Sequence, residues 1–220
     1  MTPAEVITEV RRLIQDQIEP LRYSDDFLLG FVNQTLRRIA VLRPDLFAYI
    51  DTMDCEPGVV LQSAPTDSLR IIEVHSVVGG NGVTEVDKNA LDESYPIWAD
   101  DPAGPAVNWM RHVRNPNKFF IYPKAPEGQQ LLIEYAQTPP KYTLDDEVAL
   151  LPEAFFPVVV DGVVFLAESV DNESVNAGRA QLFQKSFSDT LGTNQQSKVV
   201  TDTDDGGAGR PIGRTQANGG

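Results

Sequence analysis

The side chains that could do chemistry are few and widely spaced. His75 follows Glu73 in an apolar run and precedes Ser76, and His112 stands between Arg111 and Val113. Neither arrangement matches a nucleophile activated by a neighbouring base, and a structural histidine is the simpler reading of both. Carboxylates cluster at Asp100-Asp101 and at Asp145-Asp146-Glu147. Acid–base hydrolysis needs two carboxyls facing each other across a substrate, whereas adjacent acids in Pro-rich loops read as solvated turns. Gly79-Gly80-Asn81-Gly82 lacks the lysine and following helix of a phosphate loop. Asp202-Thr203-Asp204-Asp205-Gly206 has its acids misspaced for a calcium loop, and no later Glu supplies a bidentate ligand. A lone cysteine, Cys55, permits no internal disulfide, and with two histidines it makes no conventional zinc site. Asn33-Gln34-Thr35 and Asn172-Glu173-Ser174 match the glycosylation tripeptide, but both fall on or beside expected helices. The residues therefore predict no catalytic, cofactor-binding or metal-binding set, and a protein that is not an enzyme.

The elements that must position whatever site exists are easier to read. Thr2, Pro3 and Glu5 write a capping box at the start of a first helix, whose apolar face is Val6, Val10, Leu13 and Ile14 and which Pro20 ends. Ser24 opens a second helix, with Asp25 and Asp26 at the positive end of its dipole and Pro44 closing it. A short loop between two such helices predicts an antiparallel hairpin.

From residue 47 the pattern becomes short apolar runs broken by Gly, Pro and Asn, which predicts strands at 48–55, 59–62, 69–78, 83–86, 107–113, 118–122 and 129–137. A short helix is expected at 88–95, and Gly79–Gly82 reads as a hairpin turn. Helical spacing returns after Pro152. The run Val158-Val159-Val160 suits a buried strand, but its continuation through Ala167 favours a helix, despite the cost of about 1 kcal/mol at Gly162. A last amphipathic helix is expected from Asn172 to Leu191, with Gly192 as its cap.

The reading is an α+β chain: an antiparallel helical bundle made by N- and C-terminal helices, an inserted β-rich region, and an extended C-terminal tail. Its boundaries are 1–46 for the helical hairpin, 47–147 for the β-rich domain, 148–192 for the helices completing the bundle, and 193–220 for the tail. The tail has almost no large apolar residues, so it cannot offset the entropy of ordering itself and takes shape only against a partner.

Composition narrows the partners. The formal net charge is −14 and the pI near 4.4, which disfavours gripping duplex DNA, since that requires Lys and Arg at the phosphates. A channel wall past which DNA slides is served by such weak contacts; plain solubility is the other reading. The N-terminus has no signal-peptide character, and no stretch is apolar enough to span a bilayer, so a cytoplasm-like site of synthesis and no membrane are expected.

Several segments together resemble a known family. Val10-Arg11-Arg12-Leu13-Ile14-Gln15-Asp16, Arg22-Tyr23-Ser24-Asp25-Asp26-Phe27-Leu28-Leu29, Asn33-Gln34-Thr35-Leu36-Arg37-Arg38-Ile39 and Arg43-Pro44-Asp45 come first. Leu69-Arg70-Ile71-Ile72-Glu73-Val74, Tyr95-Pro96-Ile97-Trp98, Phe119-Phe120-Ile121-Tyr122-Pro123 and Asp161-Gly162-Val163-Val164-Phe165-Leu166-Ala167 follow in order. The set resembles the head-to-tail adaptor (connector) family of tailed bacteriophages, over roughly residues 6 to 190; the Gly-rich tail departs from it.

The resemblance implies a structural ring subunit, a dodecamer, beneath the portal protein. Such a ring extends the channel through which genomic DNA passes without sequence-specific binding, and it docks tail nozzle or tube proteins. It also implies a virion location at the head–tail junction after synthesis in the host cytoplasm. In that setting the tail residues Lys198, Arg210, Ile212 and Arg214 are expected to bind the portal, and Trp98 and Trp109 to anchor the subunit interface. The alternatives are another tail component such as a nozzle or tube-end protein, a tail-associated hydrolase, and a monomeric ligand-binding module.

Overall fold

A computed structural model describes residues 1–19, 21–170 and 177–192. The first helix, α1 (Pro3–Ile14), starts on the expected box: Thr2 Oγ1 accepts from the Glu5 backbone N–H, and the Glu5 carboxylate accepts from the Thr2 N–H. It stops well short of Pro20 because Gln15 turns left-handed at φ 59° and caps it. Ser24 caps α2 (Asp25–Leu42) through the Phe27 N–H, and a 3-10 turn at Pro44–Phe47 carries Phe47 into the helical core.

Among the described residues seven strands follow: β1 (Ala48–Asp54), β2 (Leu61–Ser63), β3 (Ser68–Val77), β4 (Thr84–Glu85), β5 (Asn108–Arg111), β6 (Lys118–Tyr122) and β7 (Gln130–Gln137). They form two sheets, one in the order β1-β7-β3 and the other β2-β6-β5-β4, antiparallel except for the parallel β4–β5 pair. Their facing sides close over Ile71, Val74, Trp109, Phe119, Ile121, Leu131 and Ile133, all buried. The short helix α3 (Lys88–Ser94) lies in the connection from β4 to β5.

After β7 the chain runs back along the helices. Asn33 holds it there, donating its amide to the Tyr142 carbonyl and accepting from the Tyr142 N–H. Then come α4 (Phe156–Glu168) and α5 (Ala177–Leu191).

The expected antiparallel bundle of N- and C-terminal helices does not form. The chain is α+β, but the five α-helices among the described residues are scattered, with α3 among the strands. Four of them share a core centred on α4, whose Val158, Val159, Val160, Val163, Val164 and Ala167 are buried on several sides. With so wide an apolar surface, α4 receives α1, α2 and α5 around it instead of zipping into a two-neighbour seam. Apolar spacing in the sequence says which side of a helix is dry, not which helix covers it.

Gly162 makes that convergence possible. A Cβ there would lie 2.5 Å from Thr35 Cγ2 on α2 and 2.9 Å from the Phe187 ring on α5. The residue that weakens the helix on propensity alone is the one that lets both neighbours close.

Candidate assembly surfaces

The residues with chemical potential are mostly engaged in structure. His112 Nδ1 accepts from the backbone N–H groups of Arg114 and Asn115, and its ring stacks on Phe120 at 5.6 Å, so it shapes the turn between β5 and β6. His75 sits where the β3–β7 register slips, with Nδ1 3.8 Å from Glu73 and Nε2 3.4 Å from Glu134. Glu73 and Glu134 are cross-strand partners, an unfavourable like-charge pair that a cation beside them would relieve. These three side chains are also the one set among the described residues whose ligand atoms lie close enough to invite a metal. The two carboxylates approach opposite nitrogens of the ring, one from the same strand and one from across the sheet. The adjacency of Glu73 and His75 was visible in the sequence; Glu134 was not, because only sheet pairing brings it near.

Of the acidic clusters, Asp101 accepts from the hydroxyls of Tyr95 and Tyr122, both at 2.7 Å. Those bonds hold its carboxyl below the usual range and raise both phenols. Asp146 accepts from the Thr143 N–H and closes a turn. Asn33 spends its amide on the Leu29 and Tyr142 carbonyls, which fits a clamp better than a modification site. Cys55 is buried, and burial pushes its thiol up, away from the reactive thiolate.

Trp98 and Trp109, expected at a subunit interface, are both inside the chain, 4% and 1% exposed. Trp98 Nε1 donates to Asp92, and its ring meets Phe120 and Tyr122 edge-on, which pins the α3 segment to the second sheet. Trp109 packs edge-on against Phe119 beneath Arg111. Lys198, Arg210, Ile212 and Arg214 lie outside the described residues, as does the whole tail.

What the surface does offer is edge and patch. β1 bonds to β7 along one edge only, and Tyr49 and Ile50 on it are exposed; Asp51 and Asp54 are the kind of charges that keep an open edge from pairing indiscriminately. Ile18, Ile97 and Val113 project large apolar groups into solvent, at 84%, 61% and 94% exposure. Arg70, Arg111, His112 and Lys118 converge on one cleft between β3 and the β5–β6 turn. Among the described residues no helix is long and apolar enough to cross a membrane.

The family model of the SU10 adaptor protein matches residues 1–211. The chain belongs to the SU10 adaptor protein family. This is a phage adaptor family, which bears out the resemblance read from the ordered segments. An SU10-type adaptor is a structural part of the phage particle that associates with head and tail components. The match runs into the Gly-rich tail, so that segment falls largely within the family's own length. No curated protein matches the chain.

Proposed function

We propose that this adaptor forms a ring under the portal at the head–tail junction, extends the DNA channel there and docks tail proteins. The observation that carries the reading is the family match over residues 1–211. The surface supports it: an open β1 edge and isolated exposed apolar residues suit a subunit that is completed by neighbours. The acidic balance of −14 suits a wall past which DNA moves without being held. Segment 47–147 carries the β1 edge, Ile97 and Val113, while 1–46 and 148–192 contribute the helices of the shared core.

Contact with the portal is assigned to the tail, through Lys198, Arg210, Ile212 and Arg214. A polar, Gly-rich segment of this composition can cover much surface on a partner, and a ring multiplies a modest contact by avidity. Trp98 and Trp109 serve the subunit interface by holding their neighbours in place, Ile97 for the first and the Arg111–Val113 turn for the second.

The test is electron microscopy of the portal mixed with the full chain and with a chain ending at residue 192. A ring added by the full chain and lost on truncation is expected. No added density at any concentration would remove the portal-adaptor reading, and density at the distal end of a tail would make the chain a nozzle component.

A further inference from the structure

Within that ring reading, we propose that the cationic cleft beside the β5–β6 turn receives a carboxylate-bearing surface of the neighbouring copy. It would form one half of a head-to-tail subunit contact.

Like charge between copies sets the constraint. Each copy carries 32 acidic and 18 basic residues, so neighbouring copies repel through their net charge. A cyclic ring is built from heterologous contacts, in which one patch meets a different patch on the next copy. Such a contact between acidic molecules is favourable only where one of them presents cations against the other's carboxylates.

Three cations free to do this gather here. Arg11, Arg12, Arg22, Arg43, Lys88, Arg111 and Arg179 each have a carboxylate within 4.0 Å in their own chain. Arg70 and Lys118, which line the cleft, and Arg114 in the adjoining turn have none among the described residues. Arg37, Arg38, Lys124, Lys141 and Lys185 likewise have no carboxylate within 4.0 Å among the described residues, so what marks this feature is the gathering of three such cations around one cleft. The comparable groove beside Arg37 and Lys141 already contains Asp26.

The cleft is also held in shape. Arg111 makes a two-pronged bond to Glu85 and donates to the carbonyls of Ile71 and Ile72, tying the second sheet to β3. The Ile71 N–H donates to the Pro116 carbonyl, which fixes the turn on the same strand. Arg111 thus spends its charge internally and positions the wall, while Arg70 and Lys118 face outward for a partner. The volume, about 220 Å³, is below the range of small-molecule sites and suits one inserted side chain. Ile71 and Trp109 line its apolar wall, and Val113 at its rim is exposed. A partner side chain with a carboxylate tip and an aliphatic stem matches both characters.

The experiment uses assembled portal–adaptor complexes made with an equal mixture of ¹⁵N-labelled and unlabelled full chain. Zero-length carbodiimide coupling joins only amines and carboxylates already in contact. Mass spectrometry is expected to find Lys118 joined to an Asp or Glu peptide in mixed-isotope pairs. The double variant Arg70→Glu, Lys118→Glu is expected to lower ring occupancy at least about tenfold with unchanged thermal unfolding, while Lys185→Glu leaves occupancy intact. Wild-type rings in which Lys118 couples only to the portal, or in which the double variant assembles normally, overturn this inference and leave the ring reading standing. Salt-sensitive binding of duplex DNA that the double variant loses would reassign the cleft to phosphate and overturn it as well. Failure of the wild type to form any ring overturns both.

Discussion

Gly162→Ala is expected to destabilise the protein although it improves helix propensity. A methyl group there would sit 2.5 Å from Thr35 Cγ2 and 2.9 and 3.1 Å from two atoms of the Phe187 ring, against a comfortable carbon–carbon separation of about 3.5–4.0 Å. Both neighbours are almost wholly buried, at 1% exposure each, and they belong to different helices, so relief at one side tightens the other. Overpacking of this kind costs about 1–3 kcal/mol, and a clash with a β-branched side chain and a ring falls at the upper end. Removing a mid-helix glycine returns about 1 kcal/mol, leaving a net loss of about 2 kcal/mol. For a chain of this size that lowers the melting temperature by about 4–8 °C. Thermal and urea unfolding followed by circular dichroism measure it. Gly30→Ala is the matched control, because no atom lies within 4 Å of a Cβ at that exposed position in α2. It is expected to stabilise the chain by up to about 1 kcal/mol. A Gly162→Ala protein as stable as the wild type would refute the claim that α2 and α5 close on α4 through this residue.

Other perturbations test the remaining supports. Asn33→Ala leaves the buried N–H and carbonyl of Tyr142 without partners and is expected to cost about 2–3 kcal/mol in urea unfolding; a loss under half a kcal/mol, on the order of a surface change, would mean the return segment does not depend on the clamp. Thr35→Val keeps the shape and removes a buried hydroxyl with no hydrogen-bond partner among the described residues, so a gain of about 1 kcal/mol is expected, and a loss would contradict the orphaned assignment. Arg11→Ala strips Asp16, 5% exposed, of its guanidinium partner and leaves it, among the described residues, the N–H groups of Arg22 and Tyr23; a cost of about 2 kcal/mol is expected, partly recovered by Asp16→Asn in the same chain. Burial, reinforced by Asp67, pushes the Tyr135 phenol up to about 12. The folded state therefore keeps a proton that the unfolded chain releases near pH 10, and stability is expected to fall as pH rises from 10 toward 12. Tyr135→Phe should flatten part of that slope in alkaline urea titrations; an identical slope would place the effect elsewhere.

The elements were legible in the sequence where local rules act alone. The Thr2–Glu5 box, the Ser24 cap and the 118–122 strand were recoverable because capping and two-residue alternation are written within a few positions. The helix over Val158–Val160 was also recoverable, since its apolar run is too long for a strand. Arrangement was less legible. The bundle expectation failed because α4 is apolar on several sides, and periodicity cannot say which neighbours it collects. Gly162 looked like a flaw until Thr35 and Phe187, more than 20 residues away on either side, were placed against it. The candidate surface was hidden for a similar reason. Arg70 and Lys118 are unremarkable separately, and they share a cleft only because Arg111 and the Ile71–Pro116 bond dock the β5–β6 turn on β3. The burial of the two tryptophans was hidden as well: only their packing against Phe119, Phe120 and Tyr122, which the fold brings to them, shows that they lie inside the subunit.

The most direct test of the account is a reconstruction of the head–tail junction in intact particles, without imposed symmetry. The account predicts a closed ring of copies, each fitting the described fold, seated between the portal and the first tail protein, with the β5–β6 turn against the adjacent copy. Finding the fold elsewhere in the particle, or as isolated single copies at the junction, would contradict it.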